Sequence, residues 1–191
     1  MAFNLKDILT ISLILFSVID IPGAIPIIID LRKKSGDIHA GTATLVSGII
    51  MVGFLYLGKS ILNIIGLDVN SFAVAGALII FLIGLEMTLG RDIFKSKPTE
   101  GKSTAIVPLA FPIIAGAGTM TTILSLKTSY NEVDILAGIF LNLIPVFLVI
   151  RSSEWLEKQL GEAGTGILRK IFGVILIAIA IKIIKKNLGI M

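Results

Sequence analysis

Cysteine is absent from the 191 residues, and histidine occurs once, as His39. Without cysteine the chain has no disulfides, no thiolate nucleophile and no thiolate metal ligands. His39 is expected in a loop, so a serine or zinc mechanism that needs a histidine inside the membrane is excluded as well. A two-aspartate protease would need a second acid deep in the membrane, and Glu86 and Asp134 both lie near span ends. We therefore expect no enzyme activity, no metal site and no cofactor.

Charged residues are also scarce, at 16% of the chain against 55% hydrophobic residues. A chain this apolar must use lipid as its solvent. Apolar runs cover almost the whole length, which leaves no room for a separate water-facing domain. The net charge of +4 lies mostly in short loops, where basic residues set the orientation in the membrane, so no nucleic-acid partner is expected.

The apolar runs predict an all-α membrane protein with six transmembrane helices. The sixth run reaches spanning length only if Arg169, Lys170 and Lys182 extend towards the two interfaces. A short amphipathic helix is predicted at 153–160, lying in the membrane interface between the fifth and sixth spans. The six predicted spans are 8–31, 42–65, 71–89, 104–126, 133–150 and 167–184.

The distribution of basic residues predicts the orientation of the chain. By the positive-inside rule, the loops that follow spans one, three and five are cytoplasmic, and both termini lie outside. Three lysines near the C-terminus, Lys182, Lys185 and Lys186, act against this assignment. The basic residues of the three loops are Arg32, Lys33, Lys34, Arg91, Lys95, Lys97, Lys102, Arg151, Lys158, Arg169 and Lys170.

The first span is interrupted by an acid, two prolines and a glycine, namely Asp20, Pro22, Gly23 and Pro26. Asp20 lies about 18 Å of helix past Ile8, near the middle of a ~30 Å hydrocarbon layer. A carboxylate there costs roughly 2.5–3.5 kcal/mol on insertion scales, so it must face protein, water or a ligand. Each proline lacks an N–H and leaves a carbonyl without its helical donor, which predicts a break in the helix.

The fourth span carries a similar interruption, with Pro108 and Pro112 followed by Gly116. Gly116 lies at the same depth in its span as Asp20 in the first. Three spans separate the breaks, so a duplicated unit would enter the membrane in the opposite direction the second time. We therefore predict two inverted three-helix repeats, with helices one and four interrupted near the midplane. The repeats are residues 1–92 and 103–191.

Two broken helices that face each other would form one small polar site. Their half-helix N-termini suit a carboxylate, while Asp20 and nearby hydroxyls suit an ammonium group or a cation. The site would therefore take a small zwitterion. The alternative is that the prolines only kink packed helices and that Asp20 is a satisfied core acid. The candidate substrate-binding residues are Ser17, Asp20, Gly23, Pro26, Gly116, Gly118, Thr119, Thr121, Thr122 and Asn142.

Three further polar residues each allow two interpretations. Glu86, near the end of span three, either reaches water and pairs with Arg91 or Lys95, or takes part in proton coupling. Asn142 either bonds neighbouring helices or contacts substrate. His39 is expected to be a solvated loop residue and not a pH sensor.

Both interruptions resemble the marks of the MarC family of six-helix inner-membrane proteins, which is grouped with LysE-type amino-acid exporters. The resemblance covers essentially the full length. The family pattern runs Asp-Pro-x-Gly-Asn-x-Pro in the first helix and Ala-Gly-Pro-Gly in the fourth. Here Ile21, Ala24 and Ala117 depart from it, and the lost Asn removes an amide that could contact substrate or ion. The matching positions are Asp20, Gly23, Pro26, Ala115, Gly116 and Gly118.

This resemblance implies a secondary transporter of small neutral amino acids such as glycine and alanine, in the cell membrane of a prokaryote. We expect no ATP hydrolysis, so energy would come from an ion or solute gradient, with Asp20 and Glu86 as candidate proton or Na+ sites. Membrane lipid is a further expected partner, and a second copy of the chain is left open. The alternative function is a non-transporting membrane scaffold or regulator of the same family.

Overall fold

The computed structural model describes residues 4–35, 38–90 and 105–189. All regular structure in these ranges is helical. The last helical segment, Glu132–Asn187, is broken at Gly161, where φ is 61° and ψ is −176°, so its two parts are named α6 (132–160) and α7 (162–187). The preceding elements are α1 (Leu5–Ile19), α2 (Ile21–Ser35), α3 (Ala40–Ile65), α4 (Val69–Leu89), a π-helix (Ala105–Ile114) and α5 (Ala117–Leu126).

Three helices are long and apolar enough to cross a membrane, namely α3, α4 and Glu132–Gly161. Two bent pairs meet the same standard together: α1 with α2, bent by 42°, and the π-helix with α5, bent by 48°. The described residues thus hold three candidate spans, or five if each bent pair is one span. The predicted all-helical membrane fold is confirmed, and both predicted interruptions are present as bends. The predicted sixth span lies in α7, which is helical but is not among these candidates.

One prediction needs adjustment, and two fall outside the described ranges. Residues 153–160 are the last turns of α6 and not a separate helix, because the chain stays helical until Gly161. Their place in the membrane interface stays a prediction. Arg91 and Lys95, the two residues predicted to pair with Glu86, lie outside the described residues. The start of the predicted fourth span, at residue 104, also lies outside them.

Small residues allow the helices to approach closely. Helices α4 and α7 cross at Gly84 and Gly173, where a Cβ built on Gly84 would lie 2.8 Å from the Gly173 carbonyl oxygen. Helix α5 starts against α4, because Ala117 occupies the space that a side chain at Gly76 would need. Such small-residue crossings are typical of membrane helices, which gain stability from van der Waals contact. The packed core includes Ile11, Leu15, Met51, Leu55, Leu109, Ile123, Ile135 and Ile139.

The outer faces of the helices are apolar. Leu13, Ile49, Phe140, Leu148 and Val174 are each more than half exposed. Exposing a surface of this kind to water costs free energy in proportion to its apolar area, whereas contact with lipid tails carries no such cost. The exposed apolar side chains therefore agree with a chain that is surrounded by lipid.

Candidate functional site

The first break consists of a single residue, Asp20, between α1 and α2. Its backbone is left-handed, with φ 49° and ψ 54°, and its N–H donates to the Phe16 carbonyl at 3.2 Å. Aspartate is among the few residues besides glycine that tolerate this conformation. Asp20 therefore ends α1 and redirects the chain by 42° into α2.

The carboxylate of Asp20 caps the helix that it starts. The Gly23 N–H donates to Asp20 Oδ1 at 3.3 Å, which places negative charge at the positive end of the α2 dipole. A side chain at position 23 would collide with the carboxylate, so only glycine leaves room for this cap. Asp20 Oδ2 has no hydrogen-bond partner among the described residues.

The second break lies at Gly116, which has an extended backbone with φ −80° and ψ 173°. Pro108 and Pro112 stand in the π-helix before it, where the missing proline N–H groups disfavour α-helical bonding. The Pro112 carbonyl approaches Gly116 so closely that a side chain there would collide with it. Glycine at this position therefore permits the tight entry into α5.

The N-terminus of α5 is open, in contrast to that of α2. No side chain caps it, and the N–H groups of Ala117, Gly118 and Thr119 make no hydrogen bond within the described ranges. The first such bond of the helix runs from the Met120 N–H to the Gly116 carbonyl at 2.9 Å. These free donors, together with the helix dipole, favour an anionic group.

The first break and the π-helix before the second break line one small cavity of about 50 Å³, which we call the break cavity. Asp20 and Gly23 line it from the first break and Ile113 from the second, while apolar residues of α4 and α7 close it. A space of this size holds water or a small ion. Gly116, Gly118 and Thr119, which were predicted for the same site, do not line this cavity. The remaining lining residues are Val18, Ile19, Ala24, Ile27, Ile80, Ile83, Leu176 and Ile179.

A larger cavity of about 980 Å³ adjoins the break cavity and is called here the basic cavity. Val18 lines both cavities, and its Cγ1 lies 3.6 Å from a Cβ built on Gly118. Thr121 and Thr122 face the basic cavity. Val18 therefore lies at the boundary of the two spaces, and a side chain added at Gly118 would contact it there.

The predicted threonines make hydrogen bonds within their own segment. Thr119 Oγ1 donates to the Ile114 carbonyl at 3.0 Å, while Thr121 and Thr122 donate to the Gly118 carbonyl at 3.0 and 2.8 Å. A hydroxyl that donates in this way keeps its lone pairs as acceptors. Each of these three residues can therefore still accept a hydrogen bond from a ligand.

Other predicted residues lie away from the break cavity. Asn142 is buried and donates to the Ser12 carbonyl at 3.0 Å. It therefore joins α6 to α1, which is the first of the two interpretations given for it above. Ser17 is exposed and Pro26 is buried, and neither lines the break cavity or the basic cavity. Glu86 is half-buried on α4.

An ion pair of Asp30 and Arg169 was not predicted from the sequence. Arg169 Nη1 lies 2.9 Å from Asp30 Oδ1, and Arg32 Nη2 lies 3.0 Å from Glu154 Oε2. These pairs tie α2 to the segment around the α6–α7 break. The sequence signal for this pair was Asp30 itself, because it lies inside the predicted first span. An acid in a membrane span usually has a basic partner nearby.

One phosphate-loop pattern in the sequence does not form a phosphate loop. Residues 53–60 have Gly53 followed by Gly58, Lys59 and Ser60 at the required spacing. The motif needs a loop between a strand and a helix, whose free N–H groups surround the phosphates. Here the segment lies inside α3. Its backbone N–H groups therefore bond to carbonyls of the same helix and are not free to bind phosphates.

His39 is exposed just before α3.

Comparison with known proteins identifies the family. The model of the MarC family integral membrane protein matches residues 5–191. A UPF0056 membrane protein of Methanocaldococcus jannaschii is 30% identical over 184 residues, which cover 89% of this chain and 90% of the relative. The UPF0056 membrane protein YhcE of Escherichia coli is 29% identical over 185 residues, with 89% and 86% covered.

A third relative, a UPF0056 membrane protein of Pyrococcus abyssi, is 30% identical over 188 residues, with 94% of this chain and 93% of the relative covered. Relatives therefore occur in both bacteria and archaea. No solved structure matches the chain. With the family model matching nearly its whole length, the chain belongs to the MarC family of integral membrane proteins.

Proposed function

We propose that the protein is a secondary transporter of small neutral amino acids of the glycine and alanine type. The observation that supports this most is the small cavity between the two broken helices, which Asp20 lines from the first break and Ile113 from the π-helix before the second. The open N-terminus of α5 follows three residues after Ile113. Broken helices of this kind bind zwitterions in transporters, because half-helix ends supply charge without ionised side chains.

Each half of the site would recognise a different group of the substrate. The free N–H groups at the start of α5 would bind the carboxylate. Asp20 Oδ2 would accept from the ammonium group, or would hold the coupled proton or Na+. The break cavity of about 50 Å³ must widen to admit an amino acid, which favours the smallest side chains.

We further propose that the chain crosses the membrane six times, as two inverted repeats of residues 1–92 and 103–191. In such an arrangement a pseudo-two-fold axis in the membrane plane would relate the two repeats. The third helix of the first repeat, α4, would then correspond to the third helix of the second, α7. The crossing of α4 and α7 at Gly84 and Gly173 supports this relationship, since it brings the two helices together at a glycine of each. The sixth span is then α7, whose charged residues would extend to the interfaces.

We also propose that both termini lie outside the cell membrane. The chain has no cysteine, so single introduced cysteines report sidedness without background. Ser129→Cys, in the exposed turn after α5, should react with an impermeant thiol reagent in intact cells. Lys158→Cys, an exposed residue of α6, should react only after permeabilisation. The opposite pattern would overturn this orientation.

Transport is tested with the purified protein in proteoliposomes. A proton gradient or a Na+ gradient should drive accumulation of labelled glycine or alanine. Asp20→Asn should abolish gradient-driven uptake while it keeps an oxygen that caps α2. Asp68→Asn is the matched control, because Asp68 caps α4 with the same spacing, through the Ser71 N–H at 2.9 Å, but lies outside both breaks.

The possible outcomes separate the hypotheses. Loss of uptake in Asp20→Asn and not in Asp68→Asn supports the site. Gradient-driven uptake that Asp20→Asn leaves unchanged rejects Asp20 as the coupling site. No uptake of any small amino acid under either gradient, with a correctly folded and oriented protein, would reject transport and favour the scaffold or regulator.

A further inference from the structure

The basic cavity is too large for the amino acid proposed above. Its volume of about 980 Å³ is at the upper end for pockets that enclose drug-sized ligands, whereas the break cavity is about twentyfold smaller at about 50 Å³. Helices α1, α3, α5 and α7 and the start of α4 all contribute to its wall. A bulkier occupant than glycine or alanine therefore fits this space.

Cationic side chains surround part of this cavity. Lys59, Lys127 and Lys186 line it, and none of the acids among the described residues does so. Lys127 is already paired with Glu132 at 2.8 Å. Lys59 and Lys186 make no hydrogen bond or ion pair with another described residue. Two positive charges thus remain available for an anion.

The rest of the wall has an apolar part and a polar part, the latter with hydroxyl and amide side chains such as Thr121, Ser125 and Asn70. Ile14 and Val18 of α1, Leu55 of α3 and Leu124 of α5 line the same space as the lysines. An apolar wall disfavours a purely hydrophilic anion but gains free energy from a hydrocarbon chain. The cavity therefore matches a molecule with an anionic head and an apolar tail.

We propose that the basic cavity is a binding site for one anionic phospholipid of the surrounding bilayer. The phosphate would lie between Lys59 and Lys186, and an acyl chain would pack along Ile14 and Val18. Basic pockets between membrane helices attract anionic headgroups through the same charge complementarity. Because Val18 also lines the break cavity, the lipid would lie next to the boundary between the two spaces.

The proposal is tested by lipid binding to the purified full chain in neutral detergent. Native mass spectrometry and thermal unfolding are measured with phosphatidylglycerol and with phosphatidylcholine. We expect phosphatidylglycerol to bind about tenfold more tightly or better and to raise the melting temperature. Lys59→Gln with Lys186→Gln should remove this preference. The matched control is Lys182→Gln with Lys185→Gln, which removes two charges from α7 outside the cavity.

Several results would overturn the lipid site. One is equal binding of phosphatidylglycerol and phosphatidylcholine by the unchanged protein. Another is a loss of the phosphatidylglycerol preference that is the same in the test variant and in the control variant. Glycerol 3-phosphate, which has the charge without the chain, should bind far more weakly, and equal binding would identify a soluble anion as the ligand instead. Asp20→Asn should keep the lipid preference, so failure of the transport proposal and failure of this one are distinguishable.

Discussion

Arg169 Nη1 lies 2.9 Å from Asp30 Oδ1, which joins α7 to the second half of the broken first helix. The two side chains are 22% and 14% exposed, and Arg169 Nε and Nη2 are buried without a hydrogen-bond partner in the described part of the chain. A partly buried ion pair of this kind is sensitive to the loss of either member, because the remaining charge stays partly desolvated.

Arg169→Met and Asp30→Leu should each lower the free energy of unfolding by about 1–3 kcal/mol, less than for a fully buried pair, because water reaches both side chains. The double variant should lose much less than the sum, since two apolar side chains replace a desolvated pair. Thermal unfolding in detergent measures all three. Lys158→Met is the control, because it breaks the exposed pair of Lys158 and Glu154 and should change the melting temperature little. Additive losses would contradict the coupling.

Gly23→Ala should reduce transport about tenfold or more, equivalent to about 1.4 kcal/mol, because the new Cβ would displace the Asp20 carboxylate from its cap. Initial rates of glycine uptake in proteoliposomes measure the effect. Gly41→Ala, at a helical position of α3 with nothing within 4 Å of the added Cβ, should transport normally and gain slightly in stability. Normal transport by Gly23→Ala would show that the cap geometry is not needed.

Gly84→Ala should destabilise the protein by about 1–3 kcal/mol. The added methyl group would lie 2.8 Å from the Gly173 carbonyl oxygen and 2.9 Å from Ile177 Cγ1, so α4 and α7 would have to separate. Gly166→Ala, in α7 with no atom near the added Cβ, provides the comparison. If thermal unfolding moves equally in both variants, the close crossing does not contribute to stability.

The cap of α4 should make stability depend on pH. Hydrogen bonds from the Ser71 hydroxyl and the Ser71 N–H lower the pKa of Asp68 below its ordinary value of 3.8. The folded state thus holds this proton less tightly, so the stabilisation is complete above the unfolded pKa and is lost as the pH falls through the folded pKa. Asp68→Asn cannot titrate.

Melting temperatures measured from about pH 5 to about pH 3 should therefore fall more steeply for the unchanged protein than for Asp68→Asn. The difference should be small, since Asp68 is fully exposed and water screens its interactions. Parallel curves for the two proteins would mean that the cap contributes no pH dependence.

Local chemistry alone determined where the first and fourth helices break. Pro22 and Pro26 remove backbone donors around Asp20, and Pro108 and Pro112 do so before Gly116. These effects act between neighbours in sequence, as does the apolar periodicity that predicts membrane helices. For the same reason, the sequence predicted the all-helical membrane fold, both bends and the family resemblance.

Only the tertiary structure decided which side chains meet across helices. The pair of Asp30 and Arg169 joins positions far apart in sequence, and the basic cavity combines lysines from α3, α7 and the turn after α5. It also showed that Asn142 bonds Ser12. Such contacts depend on helix crossing and rotation, which arise from the summed packing of small and large side chains and leave no local signal in the sequence.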